Sequence, residues 1–198
     1  MFDQAQALHE FAAAKGLANF TLATHDMGDS IGLIFLQRFG ALHAIRHHVV
    51  LNGSLKLSYA NITALQRLLL SDRTGPVVEK LLPARVLAQA LAWKLFSPPA
   101  GAAYGRELAS VLNYQRGVAV LHDTIQYLDE RAAHEDEWLA AWATSSVPCS
   151  LVWGQQDPVA TAQLGGFLWE TVLANRTSAP ARYVAVPGGN HYLQGDHP

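Results

Sequence analysis

The sequence predicts an α/β protein in which parallel strands alternate with helices and a helical insertion interrupts the sheet. Short apolar runs typical of buried strands occur at 20–24, 45–51, 149–153 and 181–186. Helical patterns separate them, which favours right-handed crossovers between parallel strands. Between the second and third runs the sequence contains helical patterns and no convincing strand. We therefore expect a core at 1–53, a lid at 54–146 and the rest of the core at 147–198.

The elements that flank the strands follow from local signals. A helix is expected at 4–15, where apolar residues recur at helical spacing until Gly16. The strand at 20–24 leads through the tight turn HDMGDS, residues 25–30, directly into a second helix. Another helix is expected near 159–174, before the last strand. Strand, tight turn and helix follow one another at residues 20–30, so that segment is the first place to look for chemistry.

Composition excludes several classes of partner. The 198 residues are 50% apolar and only 15% charged, with 14 basic and 16 acidic side chains and no basic cluster. Binding to nucleic acid or to an anionic membrane therefore has no electrostatic support. The single cysteine, Cys149, excludes an internal disulfide, and no run approaches the roughly 18 apolar residues of a membrane span. We expect a cytoplasmic protein without metal or cofactor.

Asp26 occupies the centre of the turn between the first strand and its helix. Small residues, Thr24 and Gly28, stand two positions before and after it, as in a nucleophile elbow. The backbone N–H groups and positive dipole end of the following helix favour an ionised carboxylate there. Such a carboxylate attacks carbon without a base to activate it. The alternative is that Asp26 simply caps the helix.

Two later residues follow strand ends in the same way. Asp157 comes after the third strand and before Pro158, and His191 comes after the fourth strand and a Gly-Gly turn. Taken singly, Asp157 is typical of a helix cap and His191 of a surface loop. The chain order of nucleophile, acid and histidine is nevertheless that of α/β-hydrolases. Together, Asp26, Asp157 and His191 predict a catalytic triad.

Three segments carry a resemblance to a known family. HDMGDS, VWGQQDPV and PGGNHYLQGDHP resemble the elbow, acid loop and histidine loop of the epoxide hydrolase and haloalkane dehalogenase group of α/β-hydrolases. Within that group, the HDxGD elbow, the LNG at 51–53 and the QYL at 126–128 most resemble the mesoderm-specific-transcript-like branch. The resemblance implies the C-terminal half of an α/β-hydrolase sheet with a helical lid.

The resemblance also implies a mechanism and a substrate class. Asp26 would attack an electrophilic carbon of a small apolar substrate, and His191, oriented by Asp157, would activate water to hydrolyse the resulting ester. The backbone N–H of Met27 would be one oxyanion donor. Lid tyrosines protonate the opening oxygen in epoxide hydrolases, and Tyr127 is the first choice here. It could instead be a packing residue, and three further tyrosines lie in the lid: Tyr59, Tyr104 and Tyr114.

Two other functions remain open. A haloalkane or haloacetate dehalogenase would use the same three residues, but such enzymes often have a tryptophan after the nucleophile, where this chain has Met27. A non-catalytic binding domain that keeps the fold is the other alternative. Four tryptophans are expected to pack rather than to bind halide: Trp93, Trp138, Trp142 and Trp169.

The resemblance leaves part of a complete hydrolase unmatched. The first half of the sheet and the His-Gly loop with the second oxyanion donor have no counterpart, and the family continues beyond His197 and Pro198. We therefore expect an N-terminally truncated chain whose first strand forms an exposed sheet edge. Because losing one oxyanion donor costs on the order of 10²–10³ in rate, the isolated chain is expected to be inactive or unstable.

Overall fold

The computed structural model describes residues 1–98 and 100–196, with a parallel sheet at its centre. The sheet has four strands: β1 (Thr21–His25), β2 (His47–Leu51), β3 (Cys149–Gly154) and β4 (Ala181–Val186). They lie in the order β1-β2-β3-β4, so β1 forms one edge. The predicted strands differ from these bounds by one or two residues at their ends, because strand ends depend on pairing with neighbours. The predicted α/β class with a parallel sheet is confirmed.

The register of the strands aligns their carboxyl ends. His25 lies opposite Leu51, and Gly154 of β3 lies opposite Val186 of β4. In an open parallel sheet the loops after the strands therefore meet at one edge, which is where ligands bind. That edge collects the three residues predicted as a triad, together with Asn52, which directly follows β2.

Helices account for most of the remaining chain. They are α1 (Phe2–Ala14), α2 (Met27–His43), α3 (Ala64–Leu70), α4 (Gly75–Leu81), α5 (Ala84–Leu95), α6 (Ala100–Asn113), α7 (Leu121–Ile125), α8 (Tyr127–Thr144), α9 (Ala162–Phe167) and α10 (Leu193–Asp196). A π-helical segment, Leu168–Leu173, extends α9, and two short 3₁₀ segments lie at Leu57–Tyr59 and Tyr114–Val120. Between β2 and β3 the described residues form helices and turns without a strand.

One face of the sheet carries the main core. Leu22, Val50 and Leu151 point to this face and are buried, whereas Ala23 and Val184 on the opposite face are exposed. This alternation follows from the two-residue period of a strand. Residues of α1, α2, α8 and α9 pack against the buried face, including Ile34, Phe35, Trp138 and Trp142.

The tryptophans only partly match their prediction as packing residues. Trp138 and Trp142 are almost fully buried in the core, and Trp169 packs against it while partly exposed. For Trp93 the prediction is wrong, because its side chain is 88% exposed on α5. Helical periodicity indicates a face of the helix, but it does not show which faces find a neighbour. Among the described residues, no helix combines the length and the apolar character needed to cross a membrane.

Candidate active site

Asp26 lies at a strained bend between β1 and α2. Its backbone has φ 53° and ψ −117°, a region that residues with a Cβ rarely adopt. Such a conformation costs on the order of 1–3 kcal/mol and persists only where the surrounding structure enforces it. Here β1 and α2 enforce it, and the N–H of Asp26 donates to the Leu51 carbonyl at 3.3 Å. The bend lifts the carboxylate out of the sheet edge, and its side chain remains 36% exposed.

A close approach of α2 to the sheet supports this bend. A Cβ added to Gly32 would lie 2.7 Å from Cγ2 of Thr24 and 3.1 Å from Nε2 of His48. Only glycine allows that packing, so Gly32 fixes the distance between the elbow helix and β1. Thr24 and His48 are themselves hydrogen bonded at 2.9 Å, and burial lowers the pKa of His48 to about 3. His48 is therefore a neutral core residue.

The structure brings the three predicted triad residues together. Nδ1 of His191 lies 2.7 Å from Oδ2 of Asp157, and Nε2 on the other side of the ring lies 3.9 Å from Oδ2 of Asp26. Because a carboxylate only accepts hydrogen bonds, Nδ1 carries a proton that it donates to Asp157. His191 and Asp157 are buried. The imidazole thus stands between two carboxylates, one buried and one open to solvent.

Asp157 is held by four hydrogen bonds. Oδ1 accepts from the backbone N–H groups of Val159 at 2.7 Å and Ala160 at 2.9 Å. Oδ2 accepts from His191 and from the Asn52 amide, each at 2.7 Å. Val159 and Ala160 lie in the turn before α9, whose N-cap is Thr161, so the interpretation of Asp157 as a helix cap is wrong. Oδ1 of Asp157 instead holds this turn, while Oδ2 contacts His191. Asn52 also accepts the Gly154 N–H at 2.9 Å, so it links β2 to the acid loop.

The charges of this cluster shift the pKa values of its members. Burial opposes the charged form of His191, but the hydrogen bond to Asp157, the proximity of Asp26 and the charges of both carboxylates outweigh it and raise the pKa to about 10. Burial likewise opposes ionisation of Asp26. The proximity and charge of His191, with the charge of Arg131, outweigh it and lower the pKa of Asp26. At neutral pH the cluster therefore contains an imidazolium and an ionised Asp26.

Aromatic rings form one wall beside these residues. His25 contacts the carbonyl of His191 through Nε2 at 2.9 Å, and its ring centroid lies 4.8 Å from that of His191. Tyr192 packs against both histidines and stacks on Phe96 at 4.4 Å. Burial and the charges of Asp26 and Asp157 raise the pKa of Tyr192. Neither Tyr192 nor Phe96 was predicted from the sequence, although Tyr192 directly follows the predicted histidine.

Tyr127, the first choice among the four predicted tyrosines, lies on the helix that packs against α2. Burial, followed by the charge of Asp26, raises the pKa of Tyr127 to about 12. Tyr114 is 71% exposed and Tyr59 stacks on Phe167, whereas Tyr104 stacks on Phe96 and so extends the aromatic wall. Tyr127 begins α8 and is partly buried against the core.

Met27 begins α2 immediately after Asp26, and its side chain packs against the main core. Its backbone N–H therefore belongs to the first turn of the helix, where N–H groups lack intrahelical partners. Within residues 1–98 and 100–196, no group of three His, Cys, Asp or Glu side chains is arranged to hold a metal ion. Cys149 is buried in β3, and burial raises the pKa of its thiol.

A parallel sheet with a strained carboxylate after one strand, and with an acid and a histidine after two others, defines the class as an α/β-hydrolase. Comparison with known proteins agrees: the chain belongs to the alpha/beta hydrolase family, whose model matches residues 2–198. It is 32% identical to LipZ of Mycobacterium tuberculosis, a protein named as a hydrolase, over 100% of this chain and 68% of LipZ.

Two further similarities are more distant. The mesoderm-specific transcript protein of Mus musculus is 25% identical over 169 residues, which cover 80% of this chain and 50% of that protein. Among solved structures, a variant of the haloalkane dehalogenase DatA from Agrobacterium tumefaciens superposes with a TM-score of 0.73. That match covers 97% of this chain and 67% of DatA at 16% identity, so it shows a shared fold. The predicted membership of the α/β-hydrolases is confirmed.

Proposed function

We propose that this hydrolase opens epoxides by covalent catalysis, with Asp26 as nucleophile and His191 as the base that activates water. The observation that carries the proposal is the position of the His191 ring. One nitrogen binds Asp157 at 2.7 Å while the other faces Asp26 at 3.9 Å. A histidine oriented by a buried acid and aimed at a carboxylate is the arrangement needed to hydrolyse an ester formed on that carboxylate.

The charge state of the free site suits the first step. With the pKa of Asp26 lowered and that of His191 raised to about 10, the nucleophile is an anion paired with a cation at neutral pH. Its exposed fraction of 36% leaves the carboxylate accessible to a substrate. Attack of an Asp26 oxygen on a ring carbon forms the ester bond and breaks the carbon–oxygen bond of the epoxide.

The same electrostatics couple the first step to the second. Esterification removes the negative charge of Asp26, which is one of the causes that raise the pKa of His191. The pKa of His191 therefore falls once the ester forms, so the ring can lose its extra proton to solvent and then act as a base that takes a proton from water. Hydroxide derived from water then attacks the ester carbonyl, and the backbone N–H of Met27 is the proposed oxyanion donor.

Tyr127 is the proposed donor to the epoxide oxygen. A phenol whose pKa is about 12 remains protonated at neutral pH, so it has a proton to give. Proton donation to the opening oxygen leaves a β-hydroxy ester on Asp26 and a phenolate on Tyr127. Hydrolysis of the ester by water yields the diol and the Asp26 carboxylate, and releases one proton, which returns to Tyr127. The sum is epoxide plus water to diol.

The surroundings favour an epoxide over a haloalkane. Halide release needs no proton, whereas an opening epoxide does, and Tyr127 is the proposed donor of that proton. At residue 27, directly after the nucleophile, a methionine offers no indole N–H to a leaving halide. The aromatic wall of Tyr192 and Phe96 suits a small apolar substrate.

We also predict that the protein acts in the cytoplasm, since its only cysteine is a free thiol.

Capture of the ester tests the proposal. In His191→Asn the ester should form from styrene oxide but not be hydrolysed, so intact-mass spectrometry should show the protein plus one substrate, and peptide mapping should place it on Asp26. Asp26→Asn is the control and should carry no adduct. An adduct from a chloroalkane but not from the epoxide would favour a dehalogenase. The absence of an adduct with either substrate would favour a non-catalytic domain.

A further inference from the structure

A buried arginine next to the elbow has no role in the steps above. Arg131 is fully buried on α8, and its Nε donates to Oγ of Ser30 at 3.0 Å. Within the described residues, both Nη atoms are buried and have no hydrogen-bond acceptor. Burying a guanidinium is costly unless an anion compensates its charge. The arginine therefore indicates a negative charge that is present or that forms during the reaction.

Arg131 joins the elbow helix to the proposed proton donor. Ser30, which accepts its Nε–H, lies in the first turn of α2, shortly after the bend at Asp26. Tyr127 is one turn before Arg131 on α8, and the guanidinium carbon lies 4.9 Å from the centroid of its ring. The guanidinium thus lies against the Tyr127 ring and the first turn of the helix that follows Asp26, and its charge contributes to the lowered pKa of Asp26.

The charge of Arg131 acts on two carboxyl groups, Asp26 and Asp29, whose pKa values shift in opposite directions. Asp29 is fully buried, and neither of its oxygens has a hydrogen-bond donor among the described residues. Burial, followed by effects that include the charge of Asp26, raises the pKa of Asp29 well above its usual value and favours its neutral form. The surroundings therefore favour the ionised form at Asp26 and the neutral form at Asp29.

We propose that Arg131 is a positioning residue whose guanidinium keeps Asp26 ionised for attack and stabilises the phenolate that proton donation leaves on Tyr127. The inference rests on the proposed function, because it assigns Arg131 to the two groups that act in ring opening. When the epoxide oxygen takes the Tyr127 proton, negative charge moves from Asp26 to Tyr127. A cation that lies over the Tyr127 ring and whose charge also acts on Asp26 stabilises the negative charge at both positions.

The first test measures unfolding and needs no activity. Urea midpoints are compared for Arg131→Gln in the wild-type, Asp26→Asn and Asp29→Asn backgrounds, as double-mutant cycles. Arg131→Gln should lower the urea midpoint less in the Asp26→Asn background than in wild type. In the Asp29→Asn background it should lower the midpoint as much as in wild type. Arg38→Gln is the matched control, because Arg38 lies over the Phe2 ring at 4.3 Å. An equal loss in Asp26→Asn would overturn the proposal and assign Arg131 to the structure alone.

The second test measures kcat/KM for styrene oxide as a function of pH. The fall of kcat/KM at low pH, the acid limb of the profile, reports the pKa of the nucleophile in the free enzyme. The titratable or charged groups that face Asp26 are His25, Asp29, Tyr127, Arg131, Asp157, His191 and Tyr192. Arg131→Gln should lower kcat/KM roughly tenfold at pH 7 and move the acid limb upward by about one pH unit. Arg131→Lys keeps the charge and should return the acid limb to its wild-type position. A structural role instead predicts that both variants lose kcat/KM equally while the acid limb stays where it is in wild type.

The two tests separate two kinds of failure. If the wild-type chain does not turn over the epoxide, the proposed function is contradicted, and the unfolding cycles still decide whether Arg131 is coupled to Asp26. If turnover is present but Arg131→Gln leaves both the acid limb and the rate unchanged, the role of Arg131 is overturned while the proposed function stands.

Discussion

Asn52 and His191 bind the same carboxylate oxygen, each lying 2.7 Å from Oδ2 of Asp157. Asn52 is fully buried and has φ 44°, a backbone conformation that asparagine tolerates better than most residues. Its amide oxygen accepts the Gly154 N–H as well. One side chain after β2 therefore orients the acid, and through it the histidine.

Asn52→Gly tests this role without straining the backbone. The substitution leaves the Gly154 N–H without its partner and removes one of the two donors to Oδ2 of Asp157, which costs about 1–3 kcal/mol of unfolding free energy. Chemical denaturation measures the loss, and hydrolysis of the Asp26 ester should slow about tenfold because the acid is less well oriented. Asn19→Gly is the control, since Asn19 also has positive φ but is exposed. Equal effects at the two positions would contradict the role of Asn52.

Removing the Asp26 charge should lower the pKa of His191. The pKa of about 10 depends in part on the proximity and charge of Asp26, so in Asp26→Asn the imidazole should titrate at lower pH. NMR of the ring protons measures this directly. Asp3→Asn, which removes an exposed carboxylate on α1, should leave the titration unchanged. An unchanged titration in Asp26→Asn would contradict the proposed coupling between the two steps.

The same pKa predicts how stability depends on pH. Because the folded pKa of His191 lies above its unfolded value of about 6.5, its contribution is complete below that pH and is lost as pH rises towards about 10. Urea unfolding between pH 6 and 10 should show this decline. In Asp26→Asn the decline should end at lower pH. A stability that is flat over this range in the wild-type chain would show that the folded pKa is not raised.

The bend at Asp26 predicts an unusual order of stability. Asp26→Gly and Asp26→Ala both remove the carboxylate, but only glycine adopts φ 53° without strain. The glycine variant should therefore be more stable by about 1 kcal/mol or more. At Asp136, in the middle of α8, the order should reverse, because glycine is about 0.5–1 kcal/mol worse than alanine within a helix. The same order at both positions would argue against strain at the elbow.

Gly53 packs directly on Asp29. A Cβ added there would lie 2.2 Å from Oδ2 and 2.7 Å from Cγ of Asp29. Asp29 is fully buried and has little room to move, so Gly53→Ala should destabilise the fold by about 1–3 kcal/mol. Gly166→Ala on α9, where an added Cβ meets nothing within 4 Å, should instead stabilise it. Thermal unfolding compares the melting temperatures of the two variants, and equal melting temperatures would contradict the expected clash at residue 53.

The sequence was sufficient for the strands and for the elbow. Apolar runs and helical spacing are local signals, and Asp26 follows its strand with small residues on both sides. The roles of Asn52 and Arg131 depend on partners about a hundred residues away, Asp157 for one and Ser30 for the other. No local pattern encodes such contacts. They appear only when β2 and β3 align their ends and α8 packs on α2.

The segment HEDE at 134–137 shows the same limit. Its charges are typical of an exposed helix start, yet it lies in the interior of α8. Glu135 is buried, accepts the Leu57 N–H at 2.8 Å and pairs with Lys56 at 2.7 Å. A run of like charges indicates solvent on average, but one member can turn inward when a backbone donor and a cation meet it.

The position of ¹⁸O taken up from labelled water tests covalent catalysis by Asp26 most directly. In a single turnover of styrene oxide in H₂¹⁸O, with enzyme in excess, attack by Asp26 predicts a diol whose new oxygen is ¹⁶O from the carboxylate. The ¹⁸O should then appear in the peptide that contains Asp26, as measured by mass spectrometry. A diol that carries ¹⁸O, with an unlabelled Asp26 peptide, would show that water attacks the epoxide directly, and covalent catalysis by Asp26 would be contradicted.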